Sequence, residues 1–228
     1  FGINAVTGDS EGLGTILDND VPTANPNDPG TDPDDTIVNE ALGDLDGQGT
    51  VFTPVVVDGN VTDNDDFGGD GAGAPPIVGV TYDGALGTAV KTSDATSITF
   101  TASNWTLVIT TSGADSGDYV FTQTDEYDHP TGLGTNSEDG VFTYTIEDGN
   151  GDQDSSTLTI RIVDDVPQAM APEDSVLKNS PGQSVTEPLG WDAGADDTGS
   201  IVFSGFTDGD VAMAKDGGTL TANGDSLD

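Results

Sequence analysis

Two seven-residue runs, VFTYTIE at 141–147 and TLTIRIV at 157–163, constrain the fold more than any other feature of the chain. The first alternates Phe142, Tyr144 and Ile146 with Thr143, Thr145 and Glu147; the second alternates Leu158, Ile160 and Ile162 with Thr159 and Arg161. Successive side chains of an extended strand point to opposite faces, so a period of two sets one apolar face on a core and one polar face in water. NWTLVIT at 104–110 repeats the pattern with Trp105, Leu107 and Ile109. A formal net charge of -38 with a hydrophobic content of 33% fits the composition of a disordered chain. The alternation argues instead for a folded one, with bound cation as a candidate condition of folding.

The same reading predicts strands at 36–41, 51–57, 77–82, 97–101, 105–110, 118–124, 141–147 and 157–163, parted by Gly, Asp, Asn and Pro clusters that read as turns. No segment has a helical period, and 32 Gly with 12 Pro discourage helices. Seven or eight short strands predict an all-β fold, an Ig-like antiparallel β-sandwich, with Trp105 packed in its core.

Acids number 42, of which 35 are Asp and 7 Glu, against four basic residues. Such a field repels nucleic acid and anionic membrane surfaces and attracts cations. The bias to Asp is informative: Asp suits turns, where its short side chain bonds nearby backbone, and it suits hard-cation coordination. There is no cysteine, so disulfides and thiolate metal sites are excluded. No apolar run predicts a membrane span, and the first residues lack the basic and apolar stretches of a signal peptide, so any export signal is expected outside this sequence.

LDNDVPTA at 17–24 returns as VDDVPQA at 163–169, with Pro22 and Pro167 145 residues apart. Each copy follows an apolar alternating run, which suggests tandem sandwiches in a linear array. On this reading residues 1–20 are the last strand and linker of a preceding domain, 21–166 a complete repeat, and 167–228 the incomplete start of the next.

Three stretches carry a resemblance. GLGTILDNDVP at 12–22 resembles the closing strand and linker of Calx-beta-type domains. GNVTDNDDFGGDG at 59–71, with GVFTYTIEDGNGDQDSSTLTIRIVDDVP at 140–167, resembles the long repeats of giant bacterial adhesins secreted by type I systems, the RTX and biofilm-associated class. VCBS and cadherin-like repeats share the YTI…DGNGD pattern. The resemblance covers about 17–167 well and the tail weakly. It implies tandem Ig-like extender domains on the outside of a bacterial cell, rigidified by calcium at their junctions and holding a ligand-binding tip away from the surface. It also fits a chain that crosses a secretion channel unfolded and folds outside. The glycine-rich calcium nonapeptide of the secretion region is missing: GGDGAGAPP at 68–76 starts like it and then departs.

The chemistry centres on DGNGDQD at 148–154, where Asp148, Asn150, Asp152 and Asp154 alternate and Gly149 and Gly151 permit tight curvature. Calcium takes about six to eight oxygens at roughly 2.3–2.6 Å, and alternating acids and amides in a loop supply them; magnesium, which prefers rigid octahedra, fits less well. Flanking strands exclude an EF-hand. In a seven-stranded sandwich the last hairpin lies at the end where the chain comes in, near the loop after the second strand. Asp63, Asp65, Asp66 and Asp70 of that loop are therefore expected to converge on the hairpin. Asp18, Asn19 and Asp20 of the linker would complete the cluster, much as cadherin linkers do by resemblance. Asp164 and Asp165 are expected at the opposite pole, facing the next repeat.

The one histidine, His129, lies in DEYDHPTG with Asp125, Glu126 and Asp128, a set that suits a catalytic dyad or a transition-metal ligand. Pro130 reads as a turn and makes His129 an exposed loop residue, so no enzyme is expected. A calcium-dependent glycan-binding module would use exposed aromatics such as Tyr82, Tyr119, Tyr127 or Trp191. A filament- or layer-forming protein would join copies by strand addition. The expected function is a calcium-rigidified spacer in an adhesin, whose partners are adjacent repeats of its own chain and, through other domains, surface glycans.

Overall fold

The computed structural model describes residues 20–31, 33–43, 52–129, 136–169, 191–192, 194, 211–216 and 219–224. The fold is all-β, and nine of its strands build two sheets packed face to face. These are β1 (Ile37–Asn39), β2 (Val55–Asn60), β3 (Ala72–Tyr82), β4 (Val90–Ser93), β5 (Ser97–Thr101), β6 (Trp105–Thr110), β7 (Asp118–Gln123), β8 (Ser137–Asp148) and β9 (Gln153–Val163). One sheet has the order β1-β9-β8-β3, the other β2-β7-β6-β5-β4. All neighbours are antiparallel except β1 and β9, which run parallel with Ile37 opposite Arg161 and Asn39 opposite Val163. Two short ladders follow, β10 (Gln168–Ala169) with β11 (Trp191–Asp192) and β12 (Val211–Asp216) with β13 (Thr219–Gly224).

The pairing order is that of immunoglobulin-type sandwiches, where strands B, E and D share one sheet and C, F and G the other. Here β2, β7 and β6 take the first set of places and β3, β8 and β9 the second. The β4–β5 ribbon lies between the third and fourth places and widens the first sheet.

The alternating runs face inward as their periodicity requires. Phe142, Tyr144 and Ile146 of β8 and Leu158, Ile160 and Ile162 of β9 are fully buried, opposite Trp105, Leu107 and Ile109 of β6 and Phe121 of β7. Trp105 stacks on Phe121 at 5.5 Å and meets Phe142 edge-on at 5.8 Å, joining the two sheets. Its indole nitrogen donates to Leu86 O at 2.9 Å, which removes the cost of burying an unpaired donor.

Several boundaries differ from the expected ones for identifiable reasons. Pairing of β2 begins at Val55, after Pro54, which has no amide to donate. The expected strand at 36–41 stops at Asn39, whose side-chain oxygen accepts Ala41 N–H and caps a 3-10 turn, Glu40–Leu42. β4 carries no apolar alternation and is exposed along its length, an edge strand without a hydrophobic signal. The supposed seven-residue loop at 148–154 is shorter: Asp148 closes β8 and Gln153 opens β9.

Candidate metal centres at the two ends of the sandwich

Three segments meet where the chain comes into the sandwich: residues 20–27, the 61–71 connection after β2, and the 149–152 hairpin turn. Thr23 and Asp66 exchange backbone hydrogen bonds at 2.7 and 2.9 Å. Ala24 N–H donates to Asp154 Oδ2 at 2.9 Å, and Asn25 N–H to Asp65 Oδ1 at 2.7 Å. Asn27 then joins the edge of β9 in parallel, donating to Thr157 O and accepting from Thr159 N–H, each at 2.8 Å. On the far side Gly149 N–H donates to Gly71 O at 2.8 Å, and Asn150 Nδ2 donates to Asp70 Oδ2 at 3.4 Å.

Tyr144 sits under this junction. Its hydroxyl lies 2.7 Å from Asn25 O, 2.9 Å from Val61 O and 3.2 Å from Asp65 Oδ1, and it accepts from Asn27 Nδ2 at 3.3 Å. Burial pushes the Asp65 carboxyl above the ordinary aspartate range. The Asn25 amide and the Tyr144 hydroxyl oppose that shift, while the charge of Asp154 adds to it.

Asp148 shows what the alternation in DGNGDQD does locally. Its Oδ1 accepts the amides of Asn150, Gly151 and Asp152 at 3.1, 2.9 and 2.8 Å, so this carboxylate shapes the turn. Gly151 takes a φ of 101°, the conformation its place in the turn demands. Asp154 lies within β9 and reaches the incoming segment instead of the hairpin tip. Asp148, Asn150 and Asp154 therefore have different partners: the turn amides, Asp70 and the incoming chain.

Of the residues expected to hold calcium, Asp20, Asp63, Asp65, Asp66, Asp70, Asn150 and Asp152 lie in the three meeting segments, and Asp148 and Asp154 flank the hairpin turn in β8 and β9. The Asp20 carboxylate packs over Gly69, where a Cβ would collide with it. Asp66 Oδ1 accepts Gly68 N–H at 2.9 Å. Asp63 is exposed and lines a groove of about 580 Å³ with Asp35, Asp58 and Asp118. Asp18 and Asn19 lie outside the described residues. Two carboxylate oxygens of the junction, Asp65 Oδ2 and Asp148 Oδ2, are buried with no hydrogen-bond donor. Buried carboxylate oxygens without a donor suit a hard cation such as calcium.

The opposite end is built differently. Asp165 lies against Gly194, where a Cβ would come within 2.6 Å of its Oδ1. Asp164 turns inward and is 6% exposed, with its amide donating to Asn136 O at 3.0 Å. It meets Glu40, which the 3-10 turn after β1 carries into the interior, and His129 from the segment after β7. One oxygen of each acid and one imidazole nitrogen lie within 4.8 Å of one another, the one such group of three among the described residues. Glu40 Oε2 stands 3.0 Å from His129 Nε2, with the two side chains 0% and 1% exposed. Glu40 Oε1 accepts Tyr127 N–H at 2.8 Å and the Gln123 side-chain amide. His129 is thus a buried side chain, which corrects its reading as an exposed loop residue. Its ring packs against Glu40 and sits edge-on to Tyr127 at 5.0 Å. Glu40 carries no local signal in the sequence, since it falls in a segment read as strand.

No family model, no curated protein and no solved structure matches this chain. Among the described residues no helix is long and apolar enough to cross a membrane.

Proposed function

We propose that residues 21–166 form a calcium-rigidified extender domain of a large bacterial surface adhesin, with calcium seated where residues 20–27, 61–71 and 149–152 meet. The observation that carries the calcium reading is that Asp65, in the 61–71 connection, and Asp148, at the start of the hairpin turn, each keep one buried carboxylate oxygen without a hydrogen-bond donor. A divalent cation supplies the positive partner that these oxygens, and the mutually repelling Asp65 and Asp154, lack. By bridging segments distant in sequence it fixes the angle at which the chain enters the sandwich. The two ends of β9 support a spacer: Ala24 reaches its start at Asp154, and Asp164 leaves from its other end. Copies joined in this way extend in line. The adhesin and its bacterial surface rest on the sequence resemblance and on the acidic, cysteine-free composition.

The test is thermal unfolding in millimolar calcium, in chelator, and in magnesium, for the native chain and for Asp65→Asn. Extracellular calcium modules bind at about 10⁻⁴–10⁻³ M, and a site held at 100 times its Kd adds about 2.7 kcal/mol. A calcium-selective gain of that order is expected, much reduced in Asp65→Asn. Equal melting in all three conditions would sink the calcium reading. Antibody labelling of intact, unpermeabilised cells tests the surface location separately; a signal only after permeabilisation would reject it.

A further inference from the structure

We infer that Glu40, His129 and Asp164 form a second metal site, at the end of the sandwich opposite the calcium junction, selective for a borderline divalent transition ion of the Zn²⁺ class. Charge is the first argument. Two carboxylates, 0% and 6% exposed, lie together in the interior, where isolated negative charge is costly. The described basic side chains are committed elsewhere: Lys91 donates to Val80 O at 2.6 Å, and Arg161 holds Asp139 with two bonds of 2.7 Å. A protonated His129 would balance only one of the two acids. A divalent ion with neutral imidazole balances both.

Geometry is the second argument. Donors around a tetrahedral zinc, bound at about 2.0–2.2 Å, stand roughly 3.3–3.6 Å apart. The three groups already lie within 4.8 Å, and the Glu40–His129 contact is 3.0 Å. Asp164 Oδ1 and Glu40 Oε2 are buried and accept no hydrogen bond. The other oxygen of Glu40 is held by Tyr127 N–H and Gln123, the outer support that metal-bound carboxylates ordinarily have. Three protein donors leave a fourth position for water.

The donor set decides the ion. Calcium wants about six to eight oxygens, and imidazole is not its ligand, whereas one imidazole with two carboxylates suits Zn²⁺ and its neighbours. Bound there, the ion would tie together the turn after β1, the segment after β7 and the chain leaving β9, drawn from both sheets. The site is independent of the calcium reading, since it shares no residue with that junction.

The histidine is the only one in the chain, so its ring nitrogens give an unambiguous NMR signal. The experiment titrates the full chain with ZnCl₂ in constant millimolar calcium, which occupies the acidic surface, and follows the imidazole signals together with calorimetry. The expected result is one equivalent bound, with the His129 ring shifting to a metal-ligated, neutral form. His129→Gln and Asp164→Asn should each weaken binding by more than the roughly 10–100-fold that loss of an outer supporting partner costs. Imidazole signals unchanged by one equivalent of zinc would overturn the inference without any variant. So would undiminished binding in a folded His129→Gln protein, which would place the metal on surface carboxylates.

Discussion

Replacing Tyr144 by Phe removes one oxygen and leaves the shape of the core intact. The hydroxyl has a single proton for three nearby acceptors, Asn25 O, Val61 O and Asp65 Oδ1. Two of them keep other donors: Val61 O retains Asn27 Nδ2 at 2.9 Å, and Asp65 Oδ1 retains Asn25 N–H at 2.7 Å. Asn25 O, at 2.7 Å the closest of the three, loses this donor. A neutral hydrogen bond contributes about 0.5–1.5 kcal/mol and one to a charged group about 1.5–3. Sharing one proton gives an expected loss of about 1–3 kcal/mol. Urea unfolding of both proteins in chelator measures it, as a lower midpoint with unchanged slope. A double-mutant cycle with Asp65→Asn should show coupling of about 0.5 kcal/mol or more, because the two groups touch. A Tyr144→Phe protein as stable as the native one would refute the view that this hydroxyl clasps the incoming chain to β8.

Two further outcomes test the structure by stability alone. A Cβ at Gly73 would lie 2.7 and 2.8 Å from the carbonyl oxygens of Glu147 and Asp148, so Gly73→Ala should cost about 1–3 kcal/mol by urea unfolding, while Gly79→Ala, which meets nothing within 4 Å, should cost far less. Asp94 accepts the amides of Thr96 and Ser97, each at 2.8 Å, and these bonds with the two hydroxyls hold its carboxyl below the usual range. A depressed folded value means stability that is present above the unfolded value of about 3.9 and lost as pH falls through the folded one. The stability gap between native protein and Asp94→Ala should therefore close on acidification below about pH 4, and a gap constant down to the folded value would reject the cap.

What could be read in the sequence follows the physics of each signal. Trp105–Thr110 and the apolar faces of β8 and β9 were legible because a half-buried strand must alternate. β4 was not, because VKTS at an exposed edge has no face to declare. The meeting of hairpin, loop and incoming chain was legible from topology alone, since strand order decides which loops share an end. The use of Asp148 was not: cation binding and turn capping call for the same residues at the same spacing, and only the amide distances separate them. Glu40, His129 and Asp164 are far apart in the chain, and no spacing rule joins them. The signal present was the scarcity of positive charge, which leaves a buried acid few partners besides the single histidine.

The parallel run of the incoming chain beside β9 has a mechanical meaning. Asn27 bonds both neighbours of Leu158, and β1 continues alongside Arg161–Val163. A pull applied at residue 20 and at Asp165 drags these two parallel segments in opposite directions along their own axes. Every bond between them then stretches at once, as in a lap joint under shear. A hairpin pulled from its open end would release its bonds one after another. The short β1 thus acts as a fastener whose strength is the sum of its bonds.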